Sequence, residues 1–453
     1  MKVEASRTIG KRRGLGVVAG LGVLALAAAA CGGGGTSNTT TTAASGSSTT
    51  AASGSSTTAS SGSSTTASSS GGASVTIQFA QSGLGTEGQA TQAAINGFEK
   101  ANPNIHVKLV GLSSNSTTYL QQIQQRFIAG SPTPDVLESD VTYPAKFAKA
   151  GWVMKLDQFH PNLSKFFKTE VKAGQYKGGT YAIPWFDNPE GLFYRTDLIK
   201  TPPTSPAQVI SDAKAAMKAD PSLKEGIAFE GAKYEGAITA YLTFAGGFGA
   251  KLNPANLNTA ANKKTLTYMH DLIYKSKIAP QAVTGWQEGQ VQQEFTSGHT
   301  AFAVDYPFVF AVAQKGGPAK GNVGFIPFPS TTGTPGSALG GEMLAINAKS
   351  THKAADWKLI QYLTSTQAQV ARAVATGDPP ALPGAYTQNL YSKAPYFKLV
   401  KTANKYAQPR PVTPNYLSIS SDLQTMISSV VANIASPAKA LSAAAPKVKA
   451  LAG

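Results

Sequence analysis

The pattern of apolar and polar residues divides the chain near residue 73. Beyond that point strand-like and helix-like periods alternate. Val75-Thr-Ile-Gln-Phe79 turns every second residue to one apolar face, as a half-buried strand does. Residues 87–101 predict a helix, stopped where Pro103 cannot continue it. Residues 105–110 predict a second strand, Leu120, Ile123, Phe127 and Ile128 the inner face of a helix, 135–137 a short buried strand, and 144–150 a further helix. This βαβαβ order predicts a parallel sheet covered by helices. Farther on, Leu266, Met269, Leu272 and Ile273 form a helical stripe, as do Trp357, Ile360 and Leu363. The clearest stripe is Ile419, Leu423, Met426, Ile427, Val430, Val431 and Ile434, spaced 4, 3, 1, 3, 1, 3. Such stripes predict core packing and carry no chemistry.

The first 73 residues follow another logic. Lys2, Arg7, Lys11, Arg12 and Arg13 precede an uncharged run of 17 residues, 14–30, that ends Ala28-Ala29-Ala30 before Cys31. A basic start, a short apolar core and small residues at the cut predict a secretory signal peptide over 1–30. The run is at the short limit for a membrane span. Cys31 is the only cysteine of the chain, and its place after the small residues resembles the bacterial lipoprotein signal. That resemblance implies lipidation of Cys31 and anchoring to the outer face of the cell membrane. Arg12-Arg13 leaves both the general and the twin-arginine export routes open. From Gly32 to Gly72 every residue is Gly, Ser, Thr or Ala except Asn38. Such a segment cannot form a core, and 31–72 reads as a lipidated cysteine with a tether of roughly 35 Å r.m.s. reach.

All 19 Phe, 16 Tyr and 4 Trp lie from Phe79 onward. A folded body of about 380 residues is long for a single core, which predicts two lobes. Without cysteines it has no disulfides, so burial must stabilise it. The formal net charge of +16 becomes +12 once residues 1–13 are set aside. The lysines are dispersed (Lys214, Lys218, Lys224, Lys233, Lys251, Lys263, Lys264) rather than clustered, which suits a basic surface near an anionic envelope better than a nucleic-acid site.

Catalytic and metal templates mostly fail. The five histidines are scattered, and the chain has no HExxH, GxSxG, phosphate-binding loop or calcium loop. Gly83-Leu-Gly85-Thr-Glu-Gly88 fits GxGxxG between a strand and a helix. A pyrophosphate at that helix start would be repelled by Glu87, however, and the second strand ends Val110-Gly-Leu-Ser-Ser with no acid for a ribose. The glycines are better read as a tight turn or a close backbone approach to a ligand. No cofactor or metal is expected.

A distributed pattern remains. Phe98-Glu-Lys-Ala-Asn-Pro103-Asn-Ile-His-Val107, Thr133-Pro-Asp-Val136 with Asp140 and Gly151-Trp-Val-Met-Lys-Leu-Asp157, and Tyr181-Ala-Ile-Pro184 leading to Leu192-Phe-Tyr-Arg195-Thr-Asp-Leu198 follow one another in order. Phe295-Thr-Ser-Gly298-His-Thr-Ala-Phe302, Gly324-Phe-Ile-Pro327-Phe-Pro329 and Leu339-Gly-Gly341 continue the series. Together they resemble the extracellular solute-binding proteins of ABC sugar importers, over nearly the whole body. Tyr234-Glu-Gly236 and Pro409-Arg-Pro-Val-Thr-Pro414-Asn-Tyr416 are similar to the trehalose/maltose-binding branch.

The resemblance implies a two-lobe α/β fold of the periplasmic-binding-protein kind, each lobe a mostly parallel sheet flanked by helices, with the ligand between them. It implies lobe one at 75–186 and 325–378 and lobe two at 187–324 and 379–453, with about three crossings. It places Glu87 and Asp140 where that branch has carboxylates for sugar hydroxyls, Arg410 at its sugar-binding arginine, Tyr306 at a stacking tryptophan and Gly341 in a cleft loop. Phe186, Asn188 and Glu342 stand where the branch has tyrosine, aspartate and tryptophan, so the sugar's identity is left open. Glu235 completes the expected ligand site. Trp185 and Trp286 are open between hinge packing and sugar contact, and Glu342 between a ligand hydroxyl and solvent. The implied partners are a sugar, a membrane permease and, through the lipid, the membrane itself, with a monomer as the working unit. The rival reading is an exported glycoside hydrolase, for which Glu87, Asp140, Glu235 and Glu342 offer candidate carboxylate pairs.

Overall fold

A computed structural model describes residues 74–83 and 86–452. The signal sequence, Cys31, the tether, and Leu84 and Gly85 of the glycine motif lie outside the described residues.

The first sheet is built around the strand Val75–Ser82, whose alternation buries Ile77 and Phe79. It pairs in parallel along its whole length with Ile105–Leu112, and on its other side with Val136–Asp140. Helix Thr86–Ala101 makes the first connection and buries Thr91, Ile95 and Phe98, one helical face. Helix Ser116–Ile128 makes the second, its start capped by Asn115, whose Oδ1 accepts from the Thr118 amide at 3.1 Å. Tyr119, Leu120, Ile123 and Phe127 form its inner face. Ile128, expected in that stripe, is instead 74% exposed. The 100° step past Phe127 carries it out of the buried sector.

The strand Ser337–Ile346 joins this sheet antiparallel to Val136–Asp140, and Ile183–Pro189 lies antiparallel beyond it. The two-residue strand Ala407–Gln408 adds a short parallel pairing. The second sheet runs in the order Val323–Ile326, Gly191–Arg195, Thr300–Asp305, Glu225–Ala228. Parallel pairing, expected in both lobes, holds here only between the last two strands; the other two pairings are antiparallel. All four strands belong to one passage of the chain, and neither antiparallel pair joins consecutive strands, so no βαβ unit fixes their direction.

Helix Glu235–Gly247 is buried at every position from Gly236 to Gly247, as a helix inside a core must be. Around it pack Ala260–Tyr274 and Tyr416–Val431, which bring Leu266, Met269, Ile419, Leu423 and Ile427 into the same apolar cluster. The long C-terminal stripe is therefore core up to Val431. Ile434, its last expected member, lies beyond the helix end and is 79% exposed, just after Asn433 takes a left-handed turn (φ 56°).

The chain passes between the sheets three times. Only Glu190 separates strand Ile183–Pro189 from Gly191–Arg195. The return runs between Ile326 and Ser337, and the last passage leads from Ala407–Gln408 to helix Tyr416–Val431. Strand pairing keeps 187–189 with the first sheet and 323–326 with the second.

Candidate functional site

Strand ends and helix starts from both sheets meet at one cavity of about 210 Å³. From the first sheet come Asp140 at the end of its strand, Phe186 and Asn188 beside the crossing, and Gly341 and Glu342 from Ser337–Ile346. Glu87 enters from the first turn of its helix. From the other side come Glu235, the first residue of the buried helix, and Tyr306, just after strand Thr300–Asp305. Arg410 is supplied by the last crossing. All nine residues expected from the sequence thus line a single cavity. Trp185 and Trp286 are not among its lining residues. Trp185 is buried edge-on against Phe79 at 5.5 Å, and Trp286 packs against the apolar clusters.

Arg410 is the joint of the site. It is 4% exposed, and its Nη1 donates to Glu235 Oε1 at 2.8 Å while Nη2 reaches both oxygens of Asp140 at 3.3 Å. Such charge-assisted contacts are the stronger class of hydrogen bond. Here they tie a carboxylate of the first sheet to one at the head of the second lobe's central helix. Both carboxylates have further partners. Ser420 Oγ donates to Glu235 Oε2 at 2.5 Å and the Tyr416 hydroxyl donates to Oε1. The Thr142 amide and hydroxyl donate to Asp140 Oδ1 at 2.8 and 2.6 Å. Nε of Arg410 is buried and has no hydrogen-bond partner among the described residues.

A second arginine, which the sequence reading missed, supports the wall. Arg372 lies 4.3 and 4.4 Å over the rings of Trp185 and Phe186, pairs with Asp378 at 2.8 Å and reaches Glu87 at 3.5 Å. It fixes Phe186 from behind and holds Glu87 at the cavity edge. Its signal was a lone arginine within the apolar segment Val370-Ala-Arg-Ala-Val374.

Glu138 was also missed, although alternation within Val136-Leu-Glu-Ser-Asp140 puts it on the face of Asp140. It is 2% exposed and accepts from the Ser82 amide and hydroxyl, each at 2.8 Å. Burial pushes its carboxyl up to about 7. Glu342 stands opposite Asp140 in the strand register. Burial, then the charges of Glu138, Asp140 and Glu87, raise its carboxyl well above the usual range. Gly341 must be glycine: at φ +113° an added Cβ would sit 2.5 Å from the Phe186 carbonyl oxygen. Tyr306 is 9% exposed with its ring against Gly340, and Asn188, a half-buried residue of the cavity lining, has a buried Oδ1 with no partner among the described residues.

The sequence profile of the bacterial extracellular solute-binding proteins matches residues 82–370. The chain belongs to this family. It is 30% identical to a probable ABC transporter-binding protein of Deinococcus radiodurans, over 81% of this chain and 91% of that one. Among solved structures it is similar to maltose-bound MalE3 of T. maritima, at 28% identity and a TM-score of 0.78, covering 83% of this chain and all (100%) of the other. The fold is shared again by a solute-binding protein of Thermotoga lettingae, at 22% identity and a TM-score of 0.76, with 84% and 100% covered. This solute-binding protein therefore has the two-lobe α/β architecture, with its cavity where the lobes face each other. Its family is one of binding proteins rather than enzymes. No helix among the described residues is long and apolar enough to cross a membrane.

Proposed function

We propose that this protein is the sugar-capturing component of an ABC importer, holding a sugar between its lobes and presenting it to a membrane permease. The observation that carries the reading is the cavity itself. It is lined from both lobes by carboxylates, by the rings of Phe186 and Tyr306, and by an arginine that touches both sides. Sugar hydroxyls need charged or bidentate partners, and sugar C–H faces need aromatic rings. The likeness to maltose-bound MalE3 supports a ligand of disaccharide size, and maltose and trehalose are the first candidates. The nine lining residues would contact it, with Arg410 and Tyr306 as principal contacts. Closure is then a population shift stabilised by contacts that only the closed form makes.

Lipidation at Cys31 and the tether would keep the receptor beside its permease. The expected lobes, 75–186 with 325–378 and 187–324 with 379–453, would shift to follow the strand pairings: by a few residues at the first two crossings, and at the last from 379 to the crossing at 409–415, since Ala407–Gln408 pairs within the first sheet. A thermal-shift panel of mono-, di- and oligosaccharides tests the reading. A ligand at a hundred times its dissociation constant adds ~2.7 kcal/mol of stability. Saturable binding with the sugar recovered unchanged supports a receptor. Turnover of the sugar points to the glycoside hydrolase, and absence of any shift refutes sugar capture.

A further inference from the structure

The cavity reverses the charge of the chain around it. Lysine and arginine outnumber aspartate and glutamate 40 to 24 in the sequence. The cavity is nevertheless lined by Glu87, Glu138, Asp140, Glu235, Glu288 and Glu342 against the single cation Arg410. That arginine is already engaged by Asp140 and Glu235. Arg372, behind the wall, is engaged by Asp378 and Glu87.

The acids of the first sheet share one face. Glu138 and Asp140 are two residues apart in one strand, and Glu342 stands directly opposite Asp140 in the antiparallel neighbour. Like charges at such positions repel. The side chain of Glu342 has no hydrogen-bond or ion-pair partner among the described residues. Two unpartnered polar atoms, neither of them on an acid, mark the same cavity as a place where a ligand completes the polar contacts. Arg410 is 96% buried, and its Nε lacks a hydrogen-bond partner among the described residues, as does Oδ1 of Asn188.

We propose that the preferred ligand is a polyhydroxylated, sugar-sized molecule carrying a protonated nitrogen, seated between Glu342 and Asp140. This rests on the sugar-receptor reading above and narrows its ligand class. An ammonium brings three donors and a positive charge in one atom, which offsets the facing carboxylates. A neutral hydroxyl satisfies lone pairs but does nothing to offset the repulsion between these acids. Phe186, on the other side of Glu342 in the register, offers its ring to the apolar face of the same ligand.

The test compares matched sugars by calorimetry on the purified protein at pH 6: chitobiose with free amines, its N,N′-diacetyl form, maltose and trehalose. The free-amine sugar is expected to bind at least tenfold more tightly than its acetylated counterpart. That ratio should shrink as salt is added, and should approach one in Glu342→Gln. Neutral sugars binding as tightly as the amine overturn the charge inference and leave the sugar receptor standing. So does a ratio that Glu342→Gln leaves unchanged. Binding of no sugar, neutral or charged, overturns both. Should Glu342→Gln fail to fold, the comparison of sugars on the parent protein decides.

Discussion

Arg410 gives the sharpest test of how the two lobes are held together. Arg410→Ala removes the 2.8 Å contact to Glu235 and the forked 3.3 Å contact to Asp140 in one step. Removing one member of a buried ion pair costs about 3–5 kcal/mol, because the remaining charge is left desolvated. Two features place the cost at the low end. Glu235 keeps its Tyr416 and Ser420 donors, and Asp140 keeps the Thr142 amide and hydroxyl. Both carboxylates are also about one-sixth exposed, at 17% of their side chains. A loss of about 3 kcal/mol follows for alanine. For Arg410→Lys it should be about 1–2 kcal/mol, since one ammonium can serve only one of the two carboxylates. Urea unfolding measures the loss. Small-angle scattering measures the second consequence, because the arginine joins groups on opposite sides of the cleft and its removal should raise the radius of gyration of the ligand-free protein. Binding of maltose or trehalose should weaken in the same order, arginine, lysine, alanine. An alanine variant with parental stability and parental dimensions would refute the bridge and with it the assignment of Arg410 as the joint.

Three further outcomes are expected. Tyr306→Ala should lose ~1–3 kcal/mol of sugar binding by calorimetry; an unchanged affinity would place the ring outside the ligand site. Cys31→Ser should leave an exported protein that no longer incorporates radioactive fatty acid, and equal labelling of mutant and parent would rule out the anchor. Burial lifts Glu138 and Asp187 to about 7 from ordinary values of 4.5 and 3.8. Between those limits the folded protein keeps protons that the unfolded chain releases, so stability is full below about pH 4 and falls as pH rises through 7. Melting at pH 5 and pH 8 should show that decline, by on the order of a few kcal/mol, and Asp187→Asn should flatten it. A stability that rises over this range would contradict the burial argument.

The sequence made the elements and the candidate site legible for different reasons. Periods of two and 3.6 located Val75–Ser82, Thr86–Ala101 and Tyr416–Val431 because their inner faces are continuous. They misplaced Ile128 and Ile434, where the stripe runs past the last turn that packs. The nine cavity residues came from order and spacing of family-like segments, since residues as distant as Glu87 and Arg410 share no local pattern. Glu138 and Arg372 escaped because a buried charge inside an apolar stretch looks like an interruption until its partners, Ser82 and Asp378, are placed beside it. The strand directions of the second sheet escaped because its antiparallel neighbours are not consecutive in the chain, so no local pattern sets them.

Those crossings also decide how the cleft can move. The first one is a single residue, Glu190, and it is completely buried. Its amide donates to the Ala338 carbonyl at 2.9 Å and its carbonyl accepts from Ser337 Oγ at 2.6 Å, both on a strand of the first sheet. Its carboxyl accepts from Thr239 at 3.1 Å and from Thr243, both on the buried helix of the second lobe. One residue has only two soft dihedrals, and here every polar group is held by one lobe or the other. The lobes therefore cannot slide past each other at this point; they can only rotate about it. The other two crossings are longer, residues 327–336 and 409–415, and the last of them carries Arg410. A rotation about Glu190 that opens the cleft draws Asp140 away from Glu235, and Arg410 cannot stay bonded to both. The bridging arginine and the pivot are thus two ends of one device: the pivot fixes the path, and the arginine sets how firmly the closed end of that path is held.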